Sequence, residues 1–495
     1  MPKSHSRFGR IAIVTFPLLI SAQLFAGSIF NSGNLVVSVE GNGVHGATSV
    51  GTTYTDNQAS PLTLFQYQPV GTSSVTYVNS LVLPQIGSGS NSVVSGEYGS
   101  SSEGTLQLSS NGAYLTIMGY GVNAAAFNRD PGSYSPNSLN TALGQSGSQT
   151  GQGYIAVARV AALIDSNGNV NSSTALTGVF NTNNPRSAFT VDGTGIYVSG
   201  QGTGNDGDGS GGVFYATTGS TTATPITGLD ATGGGAGTTL GQDTRDVQIV
   251  NGQLYVSTDT KEGKNSARDY IATVGSGTPT TTVGSPALSM LPGFGNSGGT
   301  GKETITAATG NGLNTGAAVN LSPEGFFFAN ATTLYVADSG SPKNDSNATN
   351  NKVDLGDGGL QKWTLSGGSW VLDYTLATGL NLVDNATDGG TEGTTGLFGL
   401  TGEVDGDQVE LFATNSTIGD LDPTFLYGIT DSLSATSNPG ESFTELEAAP
   451  LDSNFKGVSF APTADVPTPE PASFVLAGLA LAGLGVARRG RREDV

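Results

Sequence analysis

The side chains whose spacing could do chemistry are carboxylates in glycine-rich loops. Asp206-Gly-Asp208-Gly, Asp354 with Asp357, and Asp405 with Asp407 each set two acids close together on flexible backbone. Hard Ca2+ could use such oxygens, and Asp206 with Asp208 is the foremost candidate pair. None of the three completes an EF-hand loop, because the Gly-then-Glu framework is missing. Solvated turns are the competing reading at each. Asp165-Ser-Asn167-Gly-Asn169 reads as a hairpin turn, since Asp and Asn side chains bond their own backbone in such loops. Paired carboxylates could also run glycoside hydrolysis, but their separation in space decides that, and the spacing singles out no pair. No cofactor beyond Ca2+ is indicated.

Other motif matches dissolve in context. Gly202-Thr-Gly204-Asn-Asp-Gly207 fits the dinucleotide pattern, yet it leads into the strand Val213–Thr217 rather than a helix whose N-terminus would hold a pyrophosphate. Gly295-Asn-Ser297-Gly-Gly299 fits the nucleophile-elbow pattern, which a chain with 75 Gly meets by chance. A Ser nucleophile needs a base. Of the two His, His5 lies in the leader and only His45 remains. The stretch ending in Gly301-Lys302 lacks both the first Gly and the Ser/Thr of a phosphate loop.

Composition narrows the field further. The 495 residues include no Cys, which excludes disulfides, thiolate metal sites and Cys nucleophiles. Charged residues are only 12% and the formal net charge is -21. So acidic a chain is a poor partner for nucleic acid, whose phosphates require Lys and Arg.

The ends read as processing signals. Lys3, Arg7 and Arg10 precede an apolar run, Ile11 to Leu24, followed by the small residues Ala26, Gly27 and Ser28. That order describes a secretory signal peptide over residues 1–26, cut by signal peptidase after Ala26, with cleavage after Ser28 as the alternative. At the other end, residues 466–495 carry an apolar stretch from Ala472 to Ala487 and then Arg488, Arg489, Arg491 and Arg492. This is a short membrane helix with a basic cluster that stays cytoplasmic. Setting both ends aside leaves 12 basic and 37 acidic side chains in the body, a net charge of -25.

Pro469-Glu470-Pro471, the apolar span and the Arg cluster, in that order, resemble the PEP-CTERM sorting signal of Gram-negative bacteria. The resemblance covers about the last 28 residues, with Glu493-Asp494-Val495 trailing beyond the pattern. It implies transient anchoring in the inner membrane, processing by an exosortase-type transpeptidase, and final residence at the cell surface or in the exopolysaccharide matrix.

The body, residues 27–465, shows no convincing helix pattern. Short alternating apolar runs bounded by Gly, Asn, Asp, Ser and Thr recur, which is the signature of strands and turns. One phrase repeats: Asn111-Gly112 before Tyr114–Ile117, Asp192-Gly193 before Ile196–Ser199, Asn251-Gly252 before Leu254–Ser257, Asn330 to Thr333 before Leu334–Ala337, and Asp405-Gly406 before Val409–Thr414. Asn-Gly and Asp-Gly suit tight hairpins. Marker residues Tyr114, Tyr197, Tyr255, Tyr335 and Phe412 lie 83, 58, 80 and 77 residues apart. That spacing is too long and too uneven for a solenoid, and it fits β-propeller blades with long loops. Phe455–Phe460 looks like a first strand without a successor, and Asn34–Val39 like a second strand without a predecessor. Pairing them, with Leu62–Tyr67 and Val75–Leu83, closes a ring and removes both sheet edges. An all-β propeller of six blades is expected, or seven if the stretch from Gly121 to Ala175 hides another.

The leading expectation for function is a non-catalytic surface or matrix protein whose loops contact polysaccharide, since no nucleophile–base constellation is identifiable. The alternative is a propeller hydrolase, lyase or lactonase working on extracellular carbohydrate through Asp/Glu and Ca2+.

Overall fold

The computed structural model describes residues 28–203, 208–227, 243–259, 269–284, 286–294, 304–306, 318–340, 358–383 and 392–463. They form six antiparallel blades, numbered here around the ring. Blade 1 joins the two ends of the body: Ser453–Phe460 is its first strand, followed by Leu35–Gly41, Thr63–Val70 and Ser74–Val82. Leu35 pairs with Phe460 and Val37 with Val458, so the expected closure is the one observed. Blade 3 is Pro185–Thr190, Gly195–Gly200, Gly212–Thr217 and Thr224–Pro225. Blade 4 is Thr244–Val250, Gln253–Asp259, Asp269–Val274 and Leu288–Met290. Blade 5 is Pro323–Asn330, Thr333–Asp338, Gly359–Ser366 and Ser369–Leu376. Blade 6 is Thr394–Asp405, Gln408–Thr417, Phe425–Ser432 and Thr444–Ala448. A separate two-stranded hairpin pairs Thr304–Thr306 with Ala318–Asn320.

Blade 2 settles the count at six. Its inner edge is divided, with Leu106–Leu108 and Ser95–Glu97 both pairing with Tyr114–Tyr120, and Arg159–Asp165 and Val170–Leu176 complete it. The stretch from Gly121 to Ala175 therefore holds the outer strands of this blade and an insertion, not a seventh blade. The insertion also corrects the expectation of a helix-free body: Ala124–Arg129 is a six-residue helix, capped by Asn123 accepting from the Ala126 N–H. Its Ala124 and Phe127 pack with Ala59, Tyr120, Leu143 and Val157, and that small core holds the insertion against the blade.

In the repeated phrase Gly112, Gly193, Gly252 and Gly406 all adopt positive φ. Asn251 and Gly252 both adopt positive φ, 51° and 77°, the combination that joins two twisted strands in two residues. Apolar residues then pack between successive blades: Leu254, Val256, Phe326 and Trp363 belong to one core, Tyr335, Leu400, Leu411 and Tyr427 to the next. Phe294 stacks on Trp363 with ring centroids 3.9 Å apart.

A polar clasp joins the blades near the axis. A hydroxyl on the second strand of one blade donates to a carbonyl at or entering the first strand of the next. Ser38 donates to the Gly104 carbonyl at 2.5 Å, Thr116 to Ala188 at 2.5 Å, Ser199 to Arg245 at 2.5 Å and Ser257 to Glu324 at 2.6 Å. Thr414 donates likewise to the Lys456 carbonyl. In blades 1, 4 and 6 the same oxygen also accepts an N–H from its own first strand, from Gly457, Asp246 and Gly399. Those first strands carry β-bulges there, and a bulge leaves an N–H unpaired for the hydroxyl to catch. Between blades 5 and 6 the second-strand position is Ala337, and the clasp runs backwards, from the Thr395 hydroxyl to the Ser339 carbonyl at 2.8 Å.

Removing one clasp strands a buried donor and a buried acceptor together. Ser257→Ala is expected to cost about 1–3 kcal/mol, from unsatisfied backbone groups rather than lost apolar area. Urea denaturation monitored by tryptophan fluorescence checks this, and an unchanged midpoint would remove the clasp from the account.

Candidate functional site

The first strands contact one another in order around the ring. On the face where they begin, a cavity of about 410 Å³ opens beside blade 2. Its wall combines residues 99–102 with Asn57, Glu97, Asn140, Gln145, Asn184 and Asp420. These come from far-apart parts of the chain. Glu97 ends the short strand Ser95–Glu97, Asn140 and Gln145 belong to the insertion, and Asn184 precedes the first strand of blade 3. Asp420 sits in a loop of blade 6, where Asp422 fixes the backbone by accepting from the Gly393 and Gly419 N–H groups at 3.0 and 2.7 Å.

The loop from Gly99 to Gly104 forms one side. Both end glycines are in the left-handed region, φ 84° and 79°. A Cβ on Gly99 would come within 2.5 Å of the Asp56 carboxylate, and one on Gly104 within 2.7 Å of the Lys456 side chain. Lys456 fixes the loop from below by donating to the Ser100 carbonyl.

Behind this wall three carboxyls meet in the interior: Glu40 from blade 1, and Glu97 and Glu103 from blade 2. Glu103 accepts from the Tyr120 hydroxyl and the Asn184 amide. Arg159, fully buried, lies over the Tyr120 ring at 4.7 Å. It donates to the Val157, Phe180 and Asn183 carbonyls and to both oxygens of Ser146, tying the insertion to blade 3's entry loop. Glu97 accepts the Gly144 N–H at 2.6 Å. Glu40 is fully buried with no hydrogen-bond donor on either oxygen, and Lys456 Nζ stands 3.8 Å away. Burial raises all three carboxyls above the ordinary range. For Glu40 Lys456 opposes the shift and Glu103 adds to it. For Glu97 the neighbouring Glu103 charge adds to it.

The other half of the axis is filled by paired charges. Arg186 of blade 3 meets Asp243, and Arg245 of blade 4 reaches Asp243, Asp259 and Glu324 at 3.3, 3.2 and 3.1 Å. Asp246 accepts from Gln107, Ser187 and Gln248, which moderate a burial shift that lifts it to about 6. These side chains are closed off from solvent and close the ring.

The residues singled out by spacing lie elsewhere. Asp208 serves its own loop, accepting from the Ser210 hydroxyl and N–H, Thr203, Asn181 and Gln149, while Asp206 lies outside the described residues. Asp407 accepts from Ser432 and Ser434. Asp165 caps the 165–169 turn by accepting from the Asn167 and Asn169 N–H groups. His45 stacks on Tyr77, on the outermost strand of blade 1, at 3.8 Å and faces Glu447 at 3.7 Å. It is not among the lining residues. Among the described residues no group of three or more His, Asp or Glu is arranged to hold a metal ion. Ala26, the Asp354 and Asp357 pair, the 295–299 motif and the whole tail lie outside the described residues.

Residues 467–492 match the PEP-CTERM protein-sorting motif. The tail is a PEP-CTERM sorting signal. Pro469, Glu470, Pro471 and the four Arg residues all fall inside that span. The signal marks an exported protein, anchored in the membrane before an exosortase-type partner processes it. Among the described residues no helix is long and apolar enough to cross a membrane. No curated protein matches the chain. Among solved structures, the chain is similar to apo AztD from Citrobacter koseri, with 9% identity, a TM-score of 0.30, and 86% of this chain and 99% of that one covered. It is similar to Trypanosoma rangeli sialidase at 10% identity and TM-score 0.35, covering 78% of this chain and 52% of that one. An ancestral GH74 enzyme matches at 10% identity and TM-score 0.31, covering 84% and 39%. The chain thus spans about half the length of the sialidase and less of the GH74 enzyme. Likeness at this level says nothing about chemistry.

The Glu40 shift has a definite sign. Between the ordinary value of 4.5 and its raised folded value, the unfolded chain has released a proton that the folded chain keeps, so stability falls as pH rises. Glu40→Gln removes that dependence. Its melting temperature is expected to match the wild type near pH 4 and to exceed it increasingly toward pH 8. A constant difference across that range would show that Glu40 does not titrate anomalously.

Proposed function

We propose that this chain is an exported propeller that uses the cavity beside blade 2 to hold a polyhydroxylated ligand, a glycan of the cell envelope or extracellular matrix, without transforming it. The composition of the cavity wall carries the reading. Asn57, Asn140, Gln145 and Asn184 are amides that donate and accept at once, and Ser100, Ser101 and Ser102 add hydroxyls and backbone groups. Such a wall matches the alternating donors and acceptors of sugar hydroxyls. Export, which the sorting tail marks, is consistent with a glycan ligand. A rigid site drawn from several blades needs no disulfide to hold its shape.

A second reading has one observation in its favour: Glu97 and Asp420 both line the same cavity. A hydrolase would use a protonated, buried acid such as Glu97 beside a more exposed carboxylate. Release of reducing ends from a bound polysaccharide would establish it.

Binding is tested by calorimetry of the purified protein against soluble fragments of the producing cell's own polysaccharide. Asn140→Ala and Gln145→Ala, both partly exposed wall residues, are each expected to weaken binding about 3–10-fold, the size of one neutral hydrogen bond. Full affinity in both variants would place the ligand elsewhere. Sorting to the surface or matrix is tested by mass spectrometry of surface-extracted protein, which should lack the C-terminus beyond the neighbourhood of Pro471. An intact Arg-rich end in the mature protein would refute processing.

A further inference from the structure

We propose that the cavity selects a sugar carrying a protonated primary amine, an amino sugar with its nitrogen unacetylated, and that Glu97 receives the ammonium group. This rests on the glycan-binding reading and narrows it.

Glu97 is 4% exposed and lies in the cavity wall. Among the described residues its carboxylate accepts one hydrogen bond, the Gly144 N–H to Oε2, although a carboxylate offers about four acceptor positions. This acid therefore has acceptor capacity to offer a ligand in the cavity. Among the described residues, nothing else in the wall supplies positive charge: the remaining lining side chains are neutral except Asp420. The two nearest cations stand behind the wall and are committed. Lys456 donates to the Ser100 carbonyl and faces Glu40, and Arg159 is spent on carbonyls and Ser146. Glu40, Glu97 and Glu103 outnumber them, and the Asp56 charge adds to the same sign at Glu97.

The charge balance discriminates among ligands. An anionic sugar would meet this excess of carboxylates unaided. A neutral sugar can offer Glu97 only neutral hydrogen bonds, the weaker kind. An ammonium supplies the missing charge and donates a charge-assisted bond, roughly twice as strong as a neutral one. It also needs few ligands, whereas Ca2+ requires six to eight oxygens. Burial, with the Glu103 charge adding to it, raises the Glu97 carboxyl above the ordinary range, and a cation beside it favours its charged form.

The test is calorimetry of the full-length protein in detergent at pH 6.5, comparing a glucosamine tetramer with its fully N-acetylated counterpart. Two buffers of different ionisation enthalpy count protons. The unacetylated tetramer is expected to bind at least about 10-fold tighter and to change the number of bound protons on binding. Glu97→Gln should abolish the preference and the change in bound protons while the acetylated tetramer still binds. The comparison between tetramers on the unmutated protein stands even where that variant is poorly folded. Equal or tighter binding of the acetylated tetramer overturns the amine proposal and leaves the glycan reading in place. Failure of both tetramers, where the producing cell's own polysaccharide binds and does so independently of Asn140 and Gln145, overturns both.

Discussion

Half of the junctions in this ring turn on a hydroxyl that serves two blades at once. Ser38, Ser257 and Thr414 each take an N–H from a bulged first strand of their own blade and donate to a carbonyl of the next. Bulges alone would leave unpaired backbone groups near the axis, and apolar packing alone would let neighbouring sheets slide. The clasp solves both difficulties with one atom, and it fixes the height at which each blade meets its neighbour. Where Ala337 removes it, the junction of blades 5 and 6 is held by other means. Buried Lys362 faces Asp431 at 3.0 Å, and the Tyr335 and Tyr374 hydroxyls donate to the same carboxylate at 2.5 and 2.8 Å.

Fixing the heights also fixes what reaches the axis. Arg186, Arg245 and Glu324, near the starts of the first strands of blades 3, 4 and 5, are brought to one level, where Asp243, Asp259 and Glu324 balance the two arginines. Blade 2 departs from the pattern because its first strand is divided, and the chain between Glu97 and Leu106 loops across the opening. The cavity occupies that departure. Its unbalanced carboxyls are the local cost of an interruption in an otherwise paired ring.

The periodic part of this arrangement was legible in the sequence. Asn-Gly and Asp-Gly dipeptides followed by β-branched and aromatic runs gave the hairpins, and Phe455–Phe460 with Asn34–Val39 gave the closure, because turn residues and alternation act locally. The Ser that ends Leu254–Ser257 was visible too, but its role depends on a neighbour 67 residues away. Glu97, Asn140, Asn184 and Asp420 share no spacing, since only the tertiary fold brings them to one wall. Of the short acid pairs that spacing highlights, Asp208 and Asp407 accept from neighbouring hydroxyls and N–H groups. The helix Ala124–Arg129 escaped notice because six residues carry too little periodicity to read.

Ring closure has a consequence for the order of events during export. Leu35 finds its partner in Phe460, so the first blade stays incomplete until nearly the whole body has been delivered. Pairings of such long sequence separation are slow to form. The sorting motif begins at residue 467, only seven positions after Phe460. The strand that completes the fold therefore emerges immediately ahead of the segment that halts the chain at the membrane. The first blade cannot be completed before the chain just ahead of the sorting motif has been delivered.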